Sequence, residues 1–223
     1  MQELVLHELR QITGPMPVTG EKLAEKVKRM NRYTRMLITS FDVMRDGMDY
    51  DDYNTFRKAL APASGFQSAN FRFIELRCTS LPNLINSRGK KRLSLRPTID
   101  DYFDNLYWKD AGLNRETYQA SLTYTLFMEK YGEDLKKLAR DVQGNTLEDK
   151  VNARLETCSE ETRELLREFD KLYNIEWPLV HLRTAAHYLD AKGETKAATG
   201  GSEWKKYLHP KFQQRKFFPS LWT

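Results

Sequence analysis

The sequence predicts an all-α fold, and three observations predict it. Apolar residues recur at three- and four-residue steps over long stretches, the spacing of one helix face. Capping signals stand where such stretches begin. No two alternating strand-like runs joined by a turn occur anywhere in the 223 residues.

The elements follow in order. Gly20 to Arg45 carries Leu23, Val27, Met30, Tyr33, Leu37 and Phe41 as one apolar stripe. Asp49 to Leu60 opens with acids, which suit the partial positive charge of a helix N-terminus, and it stops at Pro62. Between Leu60 and Arg72 the chain reads LAPASGFQSANFR. The small or rigid residues Ala61 to Gly65 make a turn that lets something bulky approach. The apolar pattern then resumes from Phe66 to Arg77. Residues 78–96 read as irregular, with turn signals at Pro82, Asn86 and Ser87-Arg88-Gly89. Thr98-Ile-Asp-Asp101 resembles a capping box with Asp in the fourth place and predicts a helix through Trp108. Glu116 to Val142 is long and amphipathic, and Thr146-Leu-Glu-Asp149 starts another helix. A last long helix is expected from about Glu160 to about Asp190. Inside it, Pro178 has no N–H for the carbonyl of Asn174, so a kink is expected. His181 follows on an apolar face with Trp177, Val180 and Ala185. Beyond the helix, Ala197-Ala-Thr-Gly-Gly-Ser202 is a loop whose backbone amides suit a ligand, without the spacing of a P-loop.

Length and composition fit a single domain over residues 1–223 with an ample core. No apolar run approaches the roughly 20 residues that cross a bilayer. The first residues, MQELVLHELRQI, lack the pattern of a secretory signal. A cytoplasmic location is therefore expected, with Cys78 and Cys158 as reduced thiols. The net charge of +5 sits in residues 204–223, which hold Lys205, Lys206, Lys211, Arg215 and Lys216 and no acid. Interleaved Trp204, Tyr207, Phe212, Phe217, Phe218 and Trp222 give this basic tail two readings. Docking of its aromatics on the body or a neighbouring subunit is expected; stacking on nucleic acid is the alternative.

Three segments together resemble one family, the haem-dependent tryptophan 2,3-dioxygenases. They are Tyr53 to Ser68 with Phe71-Arg72, Trp177 with His181 four residues on, and Thr199-Gly-Gly-Ser202. Lys28-Arg-Met-Asn-Arg32 supports the match loosely. The resemblance implies a helical bundle that binds haem b, with His181 as the axial ligand of the iron. It implies that Leu60, Ala63, Ser64 and Gly65 lie against the porphyrin, with Trp177 also at the cofactor. Arg57 would hold the substrate carboxylate, its planar fork suiting a bidentate pair. Tyr53 would face the same pocket, and Thr199 with the Gly200 amide would bind the amino acid's polar end. The implied reaction inserts both atoms of O2 across the indole C2–C3 bond of L-tryptophan, giving N-formylkynurenine. A monooxygenase of an indole or aromatic amino acid, or a haem-binding relative without activity, are the alternatives. Members assemble as homotetramers, so a dimer or tetramer is expected. In the family a histidine on the oxygen side of the haem precedes a segment similar to Leu6-His-Glu-Leu-Arg10. Here that stretch is expected to be missing, with His7 as the alternative oxygen-side candidate. Pro178 stands where the family usually has arginine.

Overall fold

A computed structural model describes residues 1–59, 68–113, 117, 119–190, 205, 209 and 215–222, the side chain of Lys58 excepted. Helices make the fold, and among the described residues no β-strand forms. In order they are α1 (Gln2–Ile12), α2 (Gly20–Gly47), α3 (Tyr50–Ala59), α4 (Ala69–Cys78), α5 (Ser87–Arg92), α6 (Ile99–Asp104), α7 (Leu122–Asp141), α8 (Leu147–Asn152), α9 (Glu160–Lys171) and α10 (Trp177–Leu189). Short 3-10 turns lie at Leu81–Leu84, Lys109–Gly112 and Pro219–Leu221.

Local chemistry explains where the helices start. Thr19 caps α2 by accepting the Lys22 N–H, and Ser159 does the same for α9 with Thr162. Both predicted capping boxes form: Thr98 with Asp101 at α6, and Thr146 with Asp149 at α8. Two predicted boundaries move. The helix expected to run through Trp108 ends at Asp104, because the Tyr107 N–H turns away to the carbonyl of Leu84 at 2.9 Å. The helix expected from Glu116 begins at Leu122. Just before it, Ala120 bridges to Leu113 and the Ser121 N–H bonds the Gly112 carbonyl, which holds the backbone extended; the Ser121 hydroxyl then caps α7. Residues 78–96 are more ordered than expected, since Asn86 accepts the Gly89 N–H and starts α5.

Helix α2, about 42 Å long at 1.5 Å per residue, is the spine on which α1, α9 and α10 pack; α4 packs on α1 and α7. The core takes Val5, Leu6, Leu9 and Ile12 from α1, Leu23, Val27 and Met30 from α2, and Ile74 and Leu76 from α4. Leu166 and Phe169 come from α9.

The end of the chain docks on this body. Phe217 and Phe218 are fully buried. The Asp170 carboxylate accepts the N–H groups of Phe217 and Phe218, the indole N–H of Trp222 at 2.8 Å and the amide of Asn174 at 2.6 Å. Burial pushes the Asp170 pKa up despite these four donors. Arg215 enters a buried polar knot with Arg72, Glu75 and Tyr107. The Tyr107 hydroxyl donates to Glu75 at 2.6 Å and accepts from Arg72 at 2.7 Å and Arg215 at 2.5 Å. Both arginines also bond the Glu75 carboxylate. Burial, and then the like charge of Arg72, pull the Arg215 pKa well below its ordinary value. The docking expected of the tail is thus seen for residues 215–222; Trp204, Tyr207 and Phe212 lie outside the described residues.

Candidate functional site

The site is organised by α10 and by how the chain enters it. Pro178 has no N–H to give, and a regular helix would leave a carbonyl in the preceding turn without a partner. The chain answers with a π turn at Leu172–Glu176, where the Trp177 N–H reaches back five residues to the carbonyl of Leu172. The disturbance expected at Pro178 therefore takes the form of one extra residue in the winding.

Downstream, Trp177, His181, Thr184 and Tyr188 fall on one stripe of α10 at helical spacing. Trp177 is buried, edge-on to Tyr173 at 5.3 Å and packed on Phe71 at 4.7 Å. Phe71 lies in the first turn of α4. The imidazole of His181 packs on Phe41 of α2, ring centroids 5.1 Å apart. It keeps a partly accessible edge yet sits deep in apolar surroundings, and burial lowers its pKa to about 4. His181 is therefore neutral at physiological pH, with a nitrogen lone pair available. Among the described residues neither ring nitrogen makes a hydrogen bond, so the acceptor expected behind the imidazole is not among them. One turn on, the Thr184 hydroxyl is buried and likewise has no partner among the described residues.

At the far end of the stripe, Tyr188 stacks on Tyr53 of α3, centroids 3.7 Å apart and planes within 10°. Tyr53 packs against the pair Ala185 and Leu189, as do Leu182 and Ala186. Burial raises the Tyr53 pKa, and the positive charge of Arg57, one helical turn later on α3, opposes that rise. Thus α3 leans on α10 at Tyr188 and α4 leans on it at Trp177, about 16 Å apart along the axis at 1.5 Å per residue. His181 lies between the two anchors. The predicted residues Tyr53, Arg57, Trp177 and His181 are brought to one helix and its immediate neighbours.

His7 is exposed on α1, its ring 2.6 Å from the Gln11 amide, and no interaction described for it involves α3 or α10. Leu60, Ala63, Ser64, Gly65, Thr199 and Gly200 lie outside the described residues. Thr184 and Tyr188 were not anticipated; their three- and seven-residue spacing from His181 was the available signal. Chemically, a neutral buried imidazole with an open edge can ligate one metal centre, and the arginine beyond it can bind an anion.

Comparison with known proteins bears on which chemistry this is. A family described as Tryptophan 2,3-dioxygenase matches residues 5–194. The curated Tryptophan 2,3-dioxygenase of Ruegeria sp. (strain TM1040) is 27% identical over 233 residues, covering 99% of this chain and 77% of that protein. The protein of the same name from Bacillus anthracis is 27% identical over 241 residues, again 99% of this chain and 77% of its own length. That from Dictyostelium discoideum is 34% identical over 85 residues, 35% of this chain and 21% of its own. The family match extends from α1 to beyond α10 and includes the whole stripe from Trp177 to Tyr188, and on that ground the chain belongs to the tryptophan 2,3-dioxygenase family.

Proposed function

We propose that the chain is a haem-dependent dioxygenase that inserts both atoms of O2 across the indole C2–C3 bond of L-tryptophan, giving N-formylkynurenine. One observation carries the reading: a neutral, deeply set imidazole, His181, stands between the anchors of the two helices that flank the turn of small or rigid residues 61–65. The surroundings suit haem b. His181 offers an unprotonated nitrogen, Phe41 and Trp177 offer flat apolar contact, and the Thr184 hydroxyl has unused hydrogen-bonding capacity among the described residues. Haem, when bound, supplies the iron chemistry that activates dioxygen.

The protein's own residues do the rest. His181 would hold the iron. Leu60, Ala63, Ser64 and Gly65 would lie against the porphyrin and leave room for O2 and an indole. Arg57 clamps the substrate carboxylate, with Tyr53 beside it and Thr199 and the Gly200 amide at the amino acid's polar end. Fixing both ends of the substrate places C2–C3 for reaction and keeps water out, the main contribution a protein makes to such chemistry. Residues 1–223 act as one domain, in a homodimer or homotetramer, in the cytoplasm; no described helix is long and apolar enough to cross a membrane.

The test is a spectrum followed by product analysis. The full chain reconstituted with haem should show a Soret band that His181→Ala abolishes. With L-tryptophan, reductant and labelled O2, N-formylkynurenine carrying two labelled oxygens should form. One labelled oxygen would make it a monooxygenase, and a stable haem complex without turnover would make it a binding protein. No haem uptake at all would overturn the reading.

A further inference from the structure

We infer that Tyr188 is a positioning residue that sets where Arg57 stands relative to His181. The inference rests on the reading of Arg57 as the carboxylate clamp. Tyr188 is fully buried and touches two elements at once. Its ring lies flat on Tyr53 at 3.7 Å. Its hydroxyl lies 2.7 Å from the carbonyl oxygens of both Met44 and Met48 and 3.4 Å from that of Arg45.

Those carbonyls belong to the end of α2, where a helix runs out of internal donors. One phenolic proton, shared among them, ties that end to α10. The chain turns there and begins α3 at Tyr50. A single side chain of α10 therefore fixes both the corner from which α3 departs and the face that α3 presents one turn later. On α3, Asp51, Asp52, Thr55 and Phe56 are exposed, and Tyr53 packs against the Ala185 and Leu189 cluster of α10.

Arg57 lies one helical turn beyond Tyr53 on α3, a spacing that puts the two on the same face. His181 lies two turns before Tyr188 on the same stripe, about 10 Å back at 1.5 Å per residue. The path from iron ligand to carboxylate clamp is thus His181, rigid helix, Tyr188, Tyr53, Arg57. A displacement of about 1 Å between a binding group and a reacting centre can cost on the order of a hundredfold in rate, so this stack bears directly on substrate affinity.

The experiment uses the haem-reconstituted full chain and L-tryptophan, with Tyr188→Ala, Tyr188→Phe, Arg57→Ala and the Arg57→Ala/Tyr188→Ala double variant. Tyr188→Ala should raise KM about tenfold or more while haem content and the Soret maximum stay as in the parent. Tyr188→Phe keeps the stack and should restore most of that affinity. In the Arg57→Ala background, Tyr188→Ala should add no further rise, because the clamp it positions is already gone. If Tyr188→Ala unfolds the chain, Tyr53→Leu breaks the stack from the α3 side and should give the same non-additive rise. An Arg57→Ala effect with no effect of Tyr188→Ala or Tyr53→Leu overturns this inference alone. Full additivity in the double variant also overturns it. An unchanged KM in Arg57→Ala overturns the carboxylate reading and this inference with it.

Discussion

Arg72, Glu75, Tyr107 and Arg215 gather in one buried centre, and His181 with Thr184 in another, and the two treat hydrogen bonds in opposite ways. In the first, one phenol and one carboxylate are bonded by two guanidinium groups and by each other. In the second, a neutral imidazole and a hydroxyl make no hydrogen bond among the described residues. A network of opposed charges inside a protein specifies structure, since breaking it leaves an uncompensated charge. A neutral imidazole and hydroxyl carry no such charge and have capacity to spare for a ligand. The contrast teaches that burial of polar groups does not mark a functional site; whether they are charged and matched by an opposite charge separates the two centres.

The widest separation between the two centres is expected from their central residues. His181→Ala should abolish the Soret band of the reconstituted protein while moving the Tm by no more than about 3 °C. Glu75→Gln should do the reverse: about 4 kcal/mol of stability lost, from two buried guanidinium groups left without their carboxylate, measurable by urea denaturation, with haem uptake per folded molecule intact. If Glu75→Gln removed haem binding without unfolding, the division would break.

Asp170→Ala should cost about 3 kcal/mol, since the N–H groups of Phe217 and Phe218 and the Trp222 indole all lose their acceptor. Limited proteolysis should then cleave the chain's end first. Acid should act through the other centre. The folded pKa of His181, about 4, lies below its ordinary 6.5. The unfolded chain takes a proton that the fold refuses, so this group's contribution is full above pH 6.5 and is lost as pH falls toward 4. With an edge open to water the loss is on the order of 2 kcal/mol. His181→Leu should flatten that part of the stability-against-pH curve. Asp170 works the other way: burial raises its pKa, so its contribution to stability falls as pH rises through that value. Tyr107→Phe, which keeps the ring and removes only the hydroxyl, should be the mildest change, about 1 kcal/mol.

Much of the fold could be read from local chemistry. The Thr98–Asp101 and Thr146–Asp149 boxes depend on residues three apart, and both form. What misled was long range. Nothing near Trp108 announces that the Tyr107 N–H bonds Leu84, and nothing near Glu116 announces the bridge from Ala120 to Leu113. Arg215 read as part of a basic tail because its partner Glu75 is 140 residues away. At the site, Trp177, His181, Tyr53 and Arg57 came from resemblance to a family. The lowered pKa of His181 and the stack of Tyr188 on Tyr53 could not, since both depend on which helices meet.

The turn of five residues from Leu172 to Glu176 carries a last implication. One surplus residue in the winding rotates everything after it by about 100°. The aim of the imidazole toward Phe41 is therefore a matter of counting, decided five to nine places upstream. Forcing even pitch there with every residue kept would swing position 181 off its target without altering a single side chain at the site, whereas deleting the surplus residue would leave its aim intact.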